Sequence, residues 1–466
     1  MEPRRTSRSE PTRAAAAPRD WSLWGLLTAF ATVAVYFSIK VPAFETPDEF
    51  QHYAFVQHVV TWYDLPKSEA QTPGLWRQQG VQAPLYYIAG ALLTAWVDQS
   101  TLQTTAHRVN RFAKLGQADA PDNRNYFLPH ADDAWPWRNE FLALHILRFL
   151  SIGLGCLSLW ATLRFLQLFL DKHTALLCTA TCAFIPQFVF ISSAASNDNL
   201  IIAAACLVVW QLADMVRLSQ TDAGGAVLHR AAWRIGLLLA MALLAKLSGL
   251  GLLGVAALTG AWIAWRRNSG RLLWQLGWRM ATAVLLGAGW WFGRNLWLYG
   301  DPLAWNVWEA NITLRPVALS LGQLAAELPG LLHSFWGLFG WLTVPYPDYV
   351  YQGLAWLSAL LLLAFGLWLV RAARALHSDT YLLENGKFMQ GCLAFLWLGT
   401  LTASWLRFMW IAPAAPGRYF FPALPAAGLA RGLGMTLLPP PGRKAAWTLP
   451  GGLAVLGLST PTWLMD

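Results

Sequence analysis

Apolar residues fall along the chain in long blocks at roughly 21–40, 143–170, 174–192, 199–217, 234–250, 251–265, 273–292, 353–371, 388–411, 419–438 and 446–464. A helix needs about 20 consecutive apolar residues to cross a bilayer. The pattern therefore predicts an all-α polytopic membrane protein with about 11 transmembrane helices. Polar residues collect between the blocks. Segments 41–142, 193–198, 293–352 and 412–418 lie on one side, and short Arg-rich turns lie on the other. Two stretches inside the long outer segments keep an apolar face but are too short to cross. These are "QAPLYYIAGALLTAWV" (82–97) and the region 317–341, which ends in "HSFWGLFGW". Both are predicted to lie in the membrane interface. The organisation is a basic tail (1–20), a membrane module (21–438), and a C-terminal loop with a last span (439–466).

Composition supports this class. Of 466 residues, 56% are hydrophobic and 13% charged, against about a quarter charged in soluble domains. The formal net charge of +9 comes from clusters that flank the spans at alternate crossings. They include Arg4, Arg5, Arg8, Arg13 and Arg19, then Arg266, Arg267 and Arg271, then Arg371, Arg374 and His377, and finally Arg443 and Lys444. This is the positive-inside bias, and it puts the N-terminus in the cytoplasm with an uncleaved first span. The basicity is topological and does not point to nucleic acid. All five cysteines lie in apolar runs without His or acid neighbours, so they read as packing residues.

The first outer segment opens on "FETPDEFQHYAFVQHVV" (44–60), where Glu45, Asp48, Glu49, His52 and His58 crowd the end of a span. One reading is helix capping, with Thr46 as N-cap, Pro47 in the first turn, and Asp48 and Glu49 at the positive end of the dipole. Capping does not account for His52, one turn beyond Asp48 on the same face. Asp48 and Glu49 point about 100° apart, so the two should not do the same job: Asp48 shares a face with His52 as its orienting partner, and Glu49 supports it or the cap. The turn "SSAASNDNLII" (192–202) brings Asp198 to the same side, where Asn197 or Asp198 is also placed to start a helix. Lys246 in "LLAKLSGLG", Arg294 in "WWFGRNLWLYGDPLAWN" and Arg418 in "PGRYFFPALP" are cations at outer ends of spans. They run against the charge bias and call for an anionic partner, for which a lipid phosphate is suited. P-loop, HExxH and GxSxG signatures are missing from the sequence. Asp48, His52 and His58 are metal-ligating types, but their spacing defines no metal site. An acid pair such as Asp48 and Glu49 serves either as a base or as part of a divalent site, so the sequence leaves metal dependence open and requires no divalent ion.

The ordered set of "PDE" and "QHY" after the first span, "QAPLYY", and the short "SNDN" turn resembles the GT-C superfamily of polyprenyl-phosphate-sugar-dependent membrane glycosyltransferases. Protein O-mannosyltransferases and lipid A aminoarabinose transferases are similar in style. "RNLWLYGDPLAWN", "SFWGLFGW" and "GRYFFPALPA" look closer still to a bacterial branch. The resemblance covers roughly 21–438. It implies a GT-C-like fold in the bacterial cytoplasmic membrane, with the active site on the outer face. It also implies inverting transfer of a sugar from a polyprenyl-phosphate carrier to an extracytoplasmic acceptor in cell-envelope glycan, lipid or protein. Asp48, with Glu49 beside it, takes the place of the general base in the first outer loop, and Asp198 that of the second acid. "QHY" departs from the mannosyltransferase pattern, so the resemblance assigns His52 no role. Two other readings remain: a transporter or flippase of lipid-linked sugar, and a non-enzymatic envelope-assembly protein whose acids only cap helices.

Overall fold

The computed structural model describes residues 21–68, 74–118, 120, 122–221, 224–317, 319–376, 385–413 and 416–465. The basic tail (1–20) and His377 lie outside them. The chain is a helical membrane protein built around the helix Asp198–Ser219, which packs against Asn139–Leu166, Gly225–Leu243 and Gly386–Ile411. Its sequence is apolar on every side, with small residues Ala203, Ala204 and Ala205 fully buried. A helix hydrophobic all round belongs in the interior. Helix Asp348–Leu376, equally apolar, buries almost none of its membrane stretch within the protein and so faces lipid. Gly225–Leu243 and Gly270–Tyr299 cross closely because Gly236 lies against Met280 and Ala283, and Gly287 against Ala240. An added Cβ would meet those neighbours at 2.7 to 2.9 Å, the small-residue packing usual between membrane helices.

Every predicted block is largely helical, but the blocks are not equivalent spans, and the one expected over 234–250 breaks after Leu243. Among the described residues, seven helices are long and apolar enough to cross, and an eighth candidate is a broken pair. That pair, Lys172–Ala183 and Pro186–Ser192, bends by 69° where a single span over 174–192 was expected. Pro186 supplies the reason, since it disfavours a helical residue before it and has no N–H to continue the ladder. The expected span 419–438 is a 3-10 turn, Gly417–Ala423, followed by the 12-residue helix Leu424–Met435. Pro422 and Pro425 interrupt it for the same reason.

The outer segments form a packed layer. Helix Leu85–Thr94 buries Tyr86 and Tyr87 and exposes Leu92 and, just beyond its end, Trp96. Region 317–341 is not one amphipathic stretch. It comprises helices Leu321–Ala326 and Leu328–Trp336 and a short antiparallel hairpin, with Leu338 opposite Pro345 and Phe339 opposite Val344. The hairpin is tied on three sides. Leu338 N–H donates to Gln187 Oε1 (2.8 Å), Trp341 Nε1 to the Phe44 carbonyl (3.0 Å), and Thr343 Oγ1 to the Arg124 carbonyl (3.1 Å). It therefore joins the first outer segment to the bent helix pair.

Candidate active site

Helix Glu49–Trp62 begins two residues later than the capping reading expects. Asp48, not Thr46, is its N-cap, and its backbone is left-handed with φ 66°. Asp tolerates this region better than most residues, yet it remains sparsely populated and is concentrated at functional sites. The Asp48 carboxylate makes no capping bond. Oδ1 accepts from Gln78 Nε2 (3.2 Å) and Oδ2 from Arg418 Nη2 (2.9 Å). Asp198, in the first turn of the central helix, is likewise diverted from capping. Its Oδ1 lies 2.5 Å from Lys246 Nζ and its Oδ2 3.3 Å from Arg418 Nε.

These contacts make a chain of alternating charge: Asp48, Arg418, Asp198, Lys246. Lys246 sits outside the helices, in an extended break between Gly225–Leu243 and the 3-10 turn Leu247–Gly249. Its ammonium also stands 5.0 Å from the Tyr419 ring centre. The two acids differ in access. The Asp48 side chain is 24% exposed and that of Asp198 only 8%.

His52 lines the same cavity as Asp48, as their shared helix face predicts. Its Nδ1 is 2.9 Å from the Tyr87 hydroxyl and its Nε2 3.4 Å from Ser196 Oγ. Burial lowers its pKa from 6.5 to about 4, while Asp48 and Asp198 pull the other way. His52 is thus a neutral donor–acceptor holding the first acidic segment to the second. His58 turns away to Asp64 (2.8 Å) and does not join Asp48 and His52.

Glu49 does not reach the cavity. It is fully buried and pairs at two points with Arg148, Nε to Oε1 at 2.9 Å and Nη2 to Oε2 at 2.6 Å. It also accepts from the backbone N–H of Phe44 (3.1 Å) and Ala195 (2.9 Å). Its place is structural. Arg294 is also displaced from the expected site. Its Nη2 donates to the carbonyls of Leu65 (3.1 Å) and Pro66 (2.9 Å), while its helix presents Trp291 and Asn295 to the cavity instead. Consecutive helical residues diverge by about 100°, which separates Arg294 from Asn295.

The cavity has a volume of about 910 Å³ and mostly apolar walls. Its lining charges are Asp48 and Asp198 against Arg77, Lys246, Arg407 and Arg418, an excess of two positive charges among the described residues. Arg77 and Arg407 are exposed, and their side chains make no hydrogen bond or ion pair with any described residue. The donor set does not suit a divalent ion, which needs free oxygen ligands. All four carboxylate oxygens of Asp48 and Asp198 already face Gln78, Arg418 or Lys246. Among the described residues no three His, Cys, Asp or Glu side chains converge for a metal.

No family model matches the sequence, and no curated protein matches it either. Solved structures do. ArnT from Cupriavidus metallidurans bound to undecaprenyl phosphate superposes with a TM-score of 0.54 at 13% identity, covering 92% of this chain and 62% of that one. The apo form gives 0.53 at 14% identity over 91% and 61%. The apo oligosaccharyltransferase of Archaeoglobus fulgidus gives 0.50 at 12% identity over 96% and 56%. The chain shares the fold of these structures, in keeping with the GT-C-like fold expected. The chain spans about three-fifths of the length of these structures.

On this shared fold, the predicted residues Asp48, His52, Asp198, Lys246 and Arg418 converge on one cavity. Arg77, Arg407, Gln78 and the buried Arg148 are additions from the structure. Arg407 carried a signal in the sequence, since it is a cation at the outer end of the 388–411 block, like Arg294 and Arg418. Arg148 did too, as an arginine inside an apolar run. Arg77 and Gln78 lie in a loop whose path no local pattern defines.

Proposed function

We propose that this protein is an inverting glycosyltransferase that moves a sugar from a polyprenyl-phosphate carrier to an extracytoplasmic acceptor of the cell envelope. We infer that it works in the bacterial cytoplasmic membrane with the cavity on the outer face. Supporting that side, Arg266, Arg267, Arg271, Arg443 and Lys444 stand at helix ends remote from Asp48 and Asp198. The fold shared with ArnT, a protein solved with undecaprenyl phosphate, supports the carrier class.

The observation that carries this reading is the placement of Asp48. Its carboxylate is accessible and free of any cap, in a cavity with two excess positive charges. In the proposed reaction an acceptor hydroxyl attacks the anomeric carbon from the face opposite the phosphate. Asp48 takes the hydroxyl proton, a contribution of about 10²–10⁴-fold. The bond from carbon to the phosphate oxygen breaks, and the polyprenyl phosphate leaves with the electron pair. A sugar phosphodiester carries one negative charge, and the released monoester carries about −1.5 to −2 near neutral pH. The positive lining thus favours the departing phosphate over the bound donor, which is differential stabilisation. We assign phosphate contact to Arg77 and Arg407, with Arg418 and Lys246 behind them. Asp198 holds those two inner cations in place.

The test uses purified protein in lipid nanodiscs, radiolabelled polyprenyl-phosphate sugars and a panel of acceptors. Asp48→Asn should lose at least about 100-fold in transfer while still binding polyprenyl phosphate. Transfer at the wild-type rate would remove Asp48 as base. Movement of labelled lipid across liposome membranes without bond cleavage would favour a transporter.

A further inference from the structure

Besides the acids and cations, the cavity wall carries a second set of polar groups that the transfer chemistry does not use. Gln79 and Asn295 line the cavity and are 4% and 1% exposed. The side-chain carbonyl oxygen of each has no partner, Oε1 in Gln79 and Oδ1 in Asn295. Buried acceptors without partners are uncommon, and each needs an O–H or N–H donor from outside the wall. The same wall is aromatic. The 3-10 turn Arg77–Val81, which carries Gln79, packs on helix Trp305–Ala310. There Trp305 and Trp308 both line the cavity, with ring centres 4.7 Å apart. Neutral amide acceptors beside broad aromatic faces are suited to a hydroxyl-bearing ring, which offers O–H donors and apolar C–H faces together.

Charge narrows the choice. The two lining carboxylates are already held by Arg418 and Lys246, so no lining acid is left to receive a cation. The lining as a whole is positive. An ammonium group on the sugar would meet like charge in an apolar, low-dielectric space. We propose that the cavity selects an uncharged, hydroxyl-bearing donor sugar through Gln79 and Asn295 and discriminates against a sugar bearing an amine. This rests on the glycosyltransferase reading and names the class of its donor.

The experiment compares three probes for binding to the intact protein in nanodiscs: polyprenyl phosphate alone, polyprenyl-phosphate arabinose, and its 4-amino-4-deoxy counterpart. The last two differ by one hydroxyl exchanged for an ammonium. The hydroxyl sugar should bind at least about tenfold tighter than the amino sugar. Gln79→Ala and Asn295→Ala should each remove about five- to tenfold of the hydroxyl sugar's affinity, with polyprenyl phosphate alone unchanged as the control for folding. Should the alanine variants fail that control, Gln79→Glu and Asn295→Asp replace them, and each should narrow the preference by favouring the ammonium. Equal or tighter binding of the amino sugar, or folded variants with an unaltered preference, would overturn the sugar proposal. Failure of polyprenyl phosphate alone to bind wild type would instead overturn the glycosyltransferase reading on which it rests.

Discussion

Arg148 and Glu49 form a two-point ion pair in the interior, and Arg148 uses its remaining donors on the carbonyls of Ser38 (2.7 Å), Val41 (2.9 Å) and Pro42 (3.0 Å). Glu49 in turn receives the N–H of Ala195, three residues before Asp198. One pair thereby fixes the end of the first span, the start of the Asp48 helix and the turn that bears Asp198.

Breaking that pair from one side leaves a buried charge uncompensated, at a cost of about 3–5 kcal/mol. Glu49→Gln should therefore lower the thermal midpoint sharply, and Arg148→Gln should do the same. The double variant should recover part of the loss. Transfer per folded molecule should fall far less in Glu49→Gln than in Asp48→Asn. Equal loss in the two, at equal folded fraction, would return Glu49 to the chemistry.

The cations of the cavity should separate into two groups. Arg77→Ala and Arg407→Ala remove guanidinium groups that have no described partner, so stability should hold while polyprenyl-phosphate affinity drops about tenfold for each. The affinity of the wild type should also weaken with added salt more than that of either variant. Arg294→Ala should do the reverse, because its bonds to Leu65 and Pro66 anchor a loop. A thermal melt beside a lipid-binding titration separates these outcomes. Loss of phosphate binding in Arg294→Ala with an unchanged melt would contradict the assignment.

A chelator should leave transfer unaffected. Lys246 and Arg418 occupy the carboxylate oxygens that a divalent ion would take. Treatment with EDTA should thus change the rate by less than about twofold, while Lys246→Ala, which exposes Asp198 Oδ1, should depress it strongly. Complete loss in EDTA restored by Mg²⁺ or Mn²⁺ would show that an ion displaces these pairs in the working enzyme.

Much of this site was legible because membrane topology constrains charge so tightly. Asp48, Asp198, Lys246 and Arg418 stood out as charges at outer helix ends, and Asp48 and Glu49 do face different partners, although Asp48 is a left-handed N-cap and not a helical neighbour of Glu49. The same logic misjudged Arg294, since exposure of a helix end does not say which way its side chain turns. It overlooked Arg77 and Gln78 because their place in the cavity wall, with Gln78 on Asp48, is set by tertiary packing and not by a local pattern. The helical blocks were legible from hydropathy. The break at Pro186 and the short helix after Pro425 were marked by prolines, whose effect on the ladder outweighs an apolar composition.

The last prediction concerns acid. His52 has a folded pKa of about 4 against 6.5 when exposed, so the unfolded chain binds more protons between those values. Its contribution to stability is complete above pH 6.5 and is lost as pH falls toward 4, to a total on the order of 3 kcal/mol. Glu45 works in the opposite sense. Burial raises it from 4.5 to about 7, against the pull of the Phe127 and Tyr126 N–H groups, so its contribution is complete below pH 4.5 and fades as pH rises through about 7. Because the two slopes oppose each other, the wild-type melting curve alone does not reveal either. The difference between wild type and His52→Gln does, because glutamine can keep a bond to Tyr87 or Ser196 without titrating. Across pH 6.5 to 4 the thermal midpoint of the variant should decline less than that of wild type. Parallel curves over that range would mean that His52 titrates in the folded protein as it does in the unfolded chain, with Asp48 and Asp198 offsetting the cost of its burial.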